Sequence, residues 1–170
     1  MKTLVLFIIS QIILFAQIDI DSFKSSFLQT VKSNNKIVKY KGELYFKKPA
    51  KILWKYKEPI IKSIYIINDQ VVIIEPEIEQ VTISHFSETK NIIDILKNAK
   101  KVKENLYIAI YKDQNFKIFL DNNQNLKKII FKDELDNNIE IVFLNPKKNI
   151  DIEDKIFEYK INPEYDVIFQ

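Results

Sequence analysis

In the stretch GELYFKKPAKILWKYKEP, residues 42–59, large side chains recur at every second position on both sides of a break at Lys47-Lys48-Pro49. Leu44 and Phe46 flank Tyr45 and follow Glu43, while Ile52, Trp54 and Tyr56 alternate with Lys51, Lys55 and Lys57. A period of two is that of a strand with one apolar face. Proline cannot donate to a ladder, so Pro49 and Pro59 mark strand ends. Upstream, Val38 and Tyr40 extend the first strand. Downstream, Ile64–Ile67 and Val71–Ile74 are two short strands around Asn68-Asp69-Gln70, a hairpin turn with Asn and Asp in place of Gly. Pro76 ends the second of them, and Gln80–His85 alternates again.

Two segments read as helices. Over 19–34, Ile20, Phe23, Phe27, Leu28 and Val31 fall on one stripe, with Asp19 or Asp21 as the cap. Over Ser87–Lys103, Ile92, Ile93, Ile95, Leu96, Ala99 and Val102 keep a period of 3.6, with Lys97, Lys100, Lys101 and Lys103 in the later turns, where the dipole favours cations. After that the period returns to two: Leu106–Tyr111, Phe116–Leu120, Lys128–Phe131 and Ile139–Leu144 are strands between Asn- and Asp-rich turns. Phe157, Tyr159 and Ile161 read as one more, and Val167–Phe169 as an edge strand.

The pattern predicts a mainly β, α+β domain: about ten short antiparallel strands in one long curved sheet, with both helices docked on its apolar face. Such a sheet encloses either a packed core or a cavity, and periodicity does not separate the two. With 170 residues and no linker or repeat, the chain reads as one domain.

Composition excludes several classes of chemistry. There is no Cys, hence no disulfide, thiolate nucleophile or lipid-modified Cys, and the single His85 rules out a multi-histidine metal site. One glycine, Gly42, is too few for a phosphate-binding loop. All 26 cationic side chains are Lys, interspersed with acids to a net charge of +3, so neither the guanidinium fork nor a strong basic patch for nucleic acid is present. No metal, cofactor or nucleic-acid partner is expected. Ser84 and His85 are neighbours on a strand and point to opposite faces, so they do not form a nucleophile–base pair. Glu75, Glu77 and Glu79, like Asp151, Glu153 and Asp154, read as solvated acids, and the lysine run after Leu96 reads as a solvated face. No catalytic residue is assigned.

The N-terminus has the layout of a secretory signal peptide: Lys2, an apolar run from Leu4 to Phe15 too short to span a bilayer, and a small residue, Ala16, before the expected cut. The division is therefore residues 1–16 as leader and 17–170 as the mature domain, exported from the cytoplasm.

Taken in order, several pieces resemble the periplasmic lipoprotein carrier family, LolA. These are Phe23-x-x-x-Phe27-x-Gln29; Gly42-x-Leu44-x-Phe46-x-Lys48-Pro49 running into Trp54-x-Tyr56-x-x-Pro59; the Ile64–Ile74 hairpin; Pro76-x-x-Glu79-Gln80-Val81; a helix at 88–102 in the place of the family's lid; and Phe157-x-Tyr159-x-x-x-Pro163 with Asp166-Val167. The resemblance implies an incomplete, unclosed β-barrel of about ten or eleven strands, covered by α-helices acting as a lid over a hydrophobic cavity. It implies a periplasmic, non-enzymatic chaperone. Such a carrier takes acylated lipoproteins from an inner-membrane ABC transporter and passes them to an outer-membrane receptor. The receptor shares the fold but is anchored through an N-terminal Cys, which this chain lacks. A monomer is expected. A lipid-binding sensor or lipid-transfer subunit of related fold is the alternative.

On that reading the acyl-chain cavity is lined by Leu44, Phe46, Ile52, Trp54, Ile64, Ile66, Val72, Val81 and Ile83. The lid is Phe23 and Phe27 from the first helix with Ile92, Ile95, Leu96 and Ala99 from the second. Lys48 stands where the family has an Arg that holds the lid shut; it offers three donors without a planar fork.

Overall fold

A computed structural model describes residues 18–34, 36–85, 92–111 and 113–170; the expected leader lies outside them. The described residues form one open sheet of twelve strands and one α-helix. The strands are β1 (Ser22–Ser33), β2 (Lys36–Lys47), β3 (Lys51–Glu58), β4 (Lys62–Ile67), β5 (Gln70–Glu75), β6 (Gln80–His85), β7 (Lys100–Lys103), β8 (Leu106–Tyr111), β9 (Gln114–Leu120), β10 (Leu126–Lys132), β11 (Asn138–Lys148) and β12 (Asp166–Phe169). The helix α1 spans Ile92–Lys97. Sheet order is β12-β6-β5-β4-β3-β2-β1-β11-β10-β9-β8-β7. Two meanders, β2–β6 and β7–β11, thus join on either side of β1. Neighbours are antiparallel except the edge pair β6–β12, which is parallel.

The predicted first helix is a strand. Phe23, Phe27 and Val31 are spaced by four, which suits one helical stripe and, being even, one strand face equally. Long-range pairing decides it: β1 is bonded along its length to β2 and to β11. Ser25, at another inward position, is buried and donates its hydroxyl to the Leu144 carbonyl at 2.9 Å. Phe23 and Phe27 therefore belong to the sheet wall. The second helix is shorter than expected. It stops at Lys97, Asn98 bonds back to the Asp94 carbonyl through both its backbone and its side-chain nitrogen, and Lys100–Lys103 become β7 against β8. The part of that helix assigned to 87–91 lies outside the described residues.

The segment 157–161 is no strand either. Residues 154–157 form a 3-10 turn, and the chain crosses the outer face of the sheet as a strap. Ile152 and Phe157 bury themselves against Leu53, with Tyr45 and Tyr65 alongside, and the Tyr159 hydroxyl donates to Gln70 Oε1 at 3.0 Å. Lys47 and Lys51 both reach Asp154, each at 2.9 Å, and clip the strap down.

A chain with one glycine must make its left-handed turns otherwise. Nine described non-glycine residues have positive φ, and all but Glu79 and Gln124 are Asn or Asp, the L-residues that tolerate it best. Two loops share one design. In 121–125 and 133–137 the leading Asp accepts backbone N–H bonds two and four residues on, at 2.8–2.9 Å, and the closing Asn side chain donates to its second oxygen.

Candidate functional site

Residues directly opposite one another across a ladder share a face. One row runs Phe23, Phe46, Ile52, Ile66, Val71, and the next runs Leu44, Trp54, Ile64, Ile73. In the other meander Ile118, Ile129 and Ile141 face together, as do Phe131 and Ile139. All these rows meet in a single core cluster that also takes Ile92, Ile93, Ile95, Leu96 and Ala99. The sheet is thus curled around α1, and its concave side is one shared interior.

Of the nine expected cavity residues, Leu44, Phe46, Ile52, Trp54, Ile64 and Ile66 face this interior. Val72, Val81 and Ile83 do not. Val72 stands opposite Tyr65 and Ile83, and Val81 opposite Ile74, on the outer face. On β5 both parities are hydrophobic and periodicity cannot say which side is in. On β6 the alternation is clean, but its apolar parity, Val81 and Ile83, turns outward and Thr82 and Ser84 face in.

Between α1 and the sheet lies an apolar hollow of about 130 Å3, lined by Trp54, Ile92, Ile95, Gln114, Phe116, Ile129, Phe131 and Ile141. Trp54, Ile92 and Ile95 in this lining are among the residues expected from the sequence; the lining from β9, β10 and β11 was not assigned. Phe116, Ile129 and Ile141 carry the signal that would have found them, since they are the inward positions of recognisable alternating strands. Only Gln114 is polar. A space of this size compares with the ~150 Å3 that accepts benzene. It has room for a few methylenes.

The wall is stiffened by rings. Phe27 packs edge-on between Trp54 and Tyr56, each 5.2 Å away, and Phe23 stacks on Phe46 at 5.3 Å. Tyr56 donates its hydroxyl to Gln29 Oε1 at 2.9 Å, and its burial, with Tyr40 beside it, pushes its phenol pKa up to about 12.

Lys48 ties down the N-terminal segment: its ammonium pairs with Asp19 and, at 3.0 Å, with Asp21, while its backbone N–H donates to the Asp21 carbonyl. Those hydrogen bonds, Asp19's foremost, hold its pKa above the ordinary lysine value. The expected latch thus grips residues 19–21, whose neighbours Ile18 and Ile20 are buried in the interior cluster. Lys48 and Pro49 still share a mixed cleft with Ile93, Asp94, Leu96 and Lys97 of α1. No cluster of metal-ligating side chains occurs among the described residues. Ser84 is buried and His85 exposed, so the two point away from each other.

The open sheet and its apolar hollow define a half-barrel protein built around a hydrophobic interior. Residues 19–114 match the family model described as outer membrane lipoprotein carrier protein LolA. The chain is 38% identical over 152 residues to a Wolinella succinogenes protein named outer-membrane lipoprotein carrier protein, covering 89% of this chain and 88% of that one. It is 35% identical over 168 residues to a Campylobacter jejuni protein of the same name, covering 98% of each. A solved Thermus thermophilus structure, an uncharacterized conserved protein, shares the fold at a TM-score of 0.53 and 11% identity, covering 88% of this chain and 90% of that one. The chain belongs to the LolA family.

Proposed function

We propose that the protein carries lipoproteins between the two membranes of a bacterial envelope, sheltering their acyl chains in the concave interior with α1 as the lid. The observation that carries this is the hollow itself, apolar in every lining residue but Gln114 and bounded on one side by Ile92 and Ile95 of a two-turn helix. So short a helix has no stability of its own and stays where its apolar side chains are covered. Energetics favour a lid that moves. A chain of about 15 methylenes, fully buried, would gain about 12 kcal/mol, and three such chains would exceed any known non-covalent affinity. Loading exchanges contacts of α1 for contacts of the acyl chain, so the net gain stays small and release stays possible. On this reading the protein is a monomeric periplasmic chaperone without a catalytic step. Residues 1–16 are its leader, an inner-membrane ABC transporter its donor and an outer-membrane receptor its acceptor. Leu44, Phe46, Ile52, Trp54, Ile64 and Ile66 form the wall that the cargo meets once α1 is displaced. Mass spectrometry of the protein gently purified from its own cells tests this: acylated polypeptides should co-purify, and recovery of free lipid alone, or of nothing, contradicts it.

A further inference from the structure

The twelve strands end in two rims that differ in how many loops carry exposed aliphatic side chains, the second having, among the described residues, only Val102 of β7 beside a turn. Hairpin tips alternate ends, so the β1–β2, β3–β4 and β5–β6 loops lie at one end. Lys32 pairs with Asn138, which brings the β10–β11 and β8–β9 loops to that same end. Each of these five connections carries an exposed large aliphatic side chain at or next to its turn: Ile37 with Val38, Ile61, Ile78, Ile110 and Leu135, from 39% to 82% exposed. The other rim has polar tips, among them Lys48, Asn68, Asp69, Asn105 and Asn122. The apolar rim is also where the hollow opens. Gln114 and Phe131 line both the hollow and a wider groove of about 370 Å3 completed by Asp133, Glu134 and Leu135.

We propose that this rim seats the protein on the surface of a lipid bilayer, with the mouth of the hollow toward the membrane. The apolar side chains are spread over separate loops with charged neighbours between them, unlike the contiguous packed centre of a protein interface. Separate tips suit an interface into which each dips a few ångströms while lysine stems reach the headgroups. Lys36 and Lys39, exposed beside Ile37 and Val38, hold no ion pair among the described residues and supply cations at that loop. The other tips mix in acids such as Glu77, Asp133 and Glu134, so the apolar tips rather than net charge carry the seating. Ile61 and Ile78 sit on adjoining loops, the Ile61 N–H donating to Glu77 Oε2 at 3.4 Å. Seating does not depend on what the hollow carries. That an acyl chain then passes between bilayer and hollow without crossing water rests on the carrier reading.

The test is flotation of the mature protein with vesicles of phosphatidylethanolamine containing a minority of phosphatidylglycerol. The wild type should float with the vesicles. The triple variant Ile61→Ser, Ile78→Ser, Leu135→Ser should partition about tenfold or more weakly, with an unchanged circular dichroism spectrum because all three side chains are exposed. Val102→Ser, an exposed aliphatic residue on edge strand β7 outside this rim, should float like the wild type. Wild-type protein that stays in the aqueous phase, or a triple variant that floats as well as the wild type, overturns the proposal. Binding is read without free acyl ligand, and the three substituted side chains lie outside the lining of the hollow, so failure here is distinct from failure of the carrier reading.

Discussion

Phe27 lies over Gly42, its partner across the β1–β2 ladder, so closely that a Cβ on Gly42 would stand 2.7 Å from Phe27 Cζ and 2.3 Å from the Lys55 carbonyl oxygen. The pairing of β2 with β3 slips at this point, between Lys41 and Gly42. The one glycine of the chain is therefore where ring and backbone approach, beside a bulge that bends the sheet.

From this contact, Gly42→Ala should cost about 2–3 kcal/mol of stability, since the backbone oxygen cannot yield as a side chain would. Urea unfolding measures it. A loss below about 0.5 kcal/mol would mean that the close approach relaxes freely.

Tyr56 gives an alkaline signature. Its folded pKa of about 12 lies above the unfolded value of 10.0, so the folded state binds more protons between the two. Stability is then complete below pH 10 and falls as pH rises toward 12. Tyr56→Phe should flatten that limb in denaturant titrations across alkaline pH, and an unchanged slope would contradict the assignment.

Asp121 and Asp133 give the opposite signature at acid pH. The Asn125 backbone N–H, foremost among its partners, holds Asp121 below the ordinary 3.8. For Asp133 burial opposes ionisation, but bonds from Asn137 and Leu135 together outweigh it. Folded values below unfolded ones mean stability that is present above the ordinary aspartate range and lost as pH falls through the folded values. The double variant Asp121→Asn, Asp133→Asn replaces the second acceptor oxygen of each loop with a donor facing the closing Asn. In urea unfolding it should be less stable than the wild type near neutrality, show a shallower acid limb, and converge with the wild type at low pH; equal stability of the two near neutrality would contradict the assignment.

Ile95 tests α1. Its side chain is buried against the hollow, so Ile95→Glu sets a carboxylate where an acyl chain should lie and should weaken acyl binding more than tenfold. The β-sheet circular dichroism should persist, because the twelve-strand ladder does not pass through α1. Wild-type affinity in this variant would remove α1 from the site.

Much of this architecture was readable where alternation is clean. β2, β3 and β6 stand where their apolar residues alternate, and turns at Asn68, Asp113 and Asp136 stand where a glycine-poor chain puts Asn and Asp. Reading failed where two periods coincide, as in Phe23 and Phe27. It failed where both faces of a strand are apolar, as at Val72, and where the apolar face of a cleanly alternating strand turns outward, as at Val81 on β6. It failed again where a strand-like pattern is buried as a strap across the sheet instead of pairing at an edge. Phe157 and Tyr159 alternate, yet the edge beyond β6 is taken by β12, and the segment lies flat on the outer face instead. The hollow itself depends on how two meanders meet through β1 and β11, where the Ser25 hydroxyl bonds the Leu144 carbonyl 119 residues away, and no local pattern announces that pairing.

The central claim, that an acyl chain enters the space under α1, has a built-in reporter, because Trp54 is the only tryptophan and lines the hollow. Titration with a chain-brominated fatty acid, whose bromines quench indole at contact, should extinguish Trp54 emission saturably, and unlabelled palmitate should restore it. Emission that stays constant through the titration would show that no acyl chain reaches the hollow.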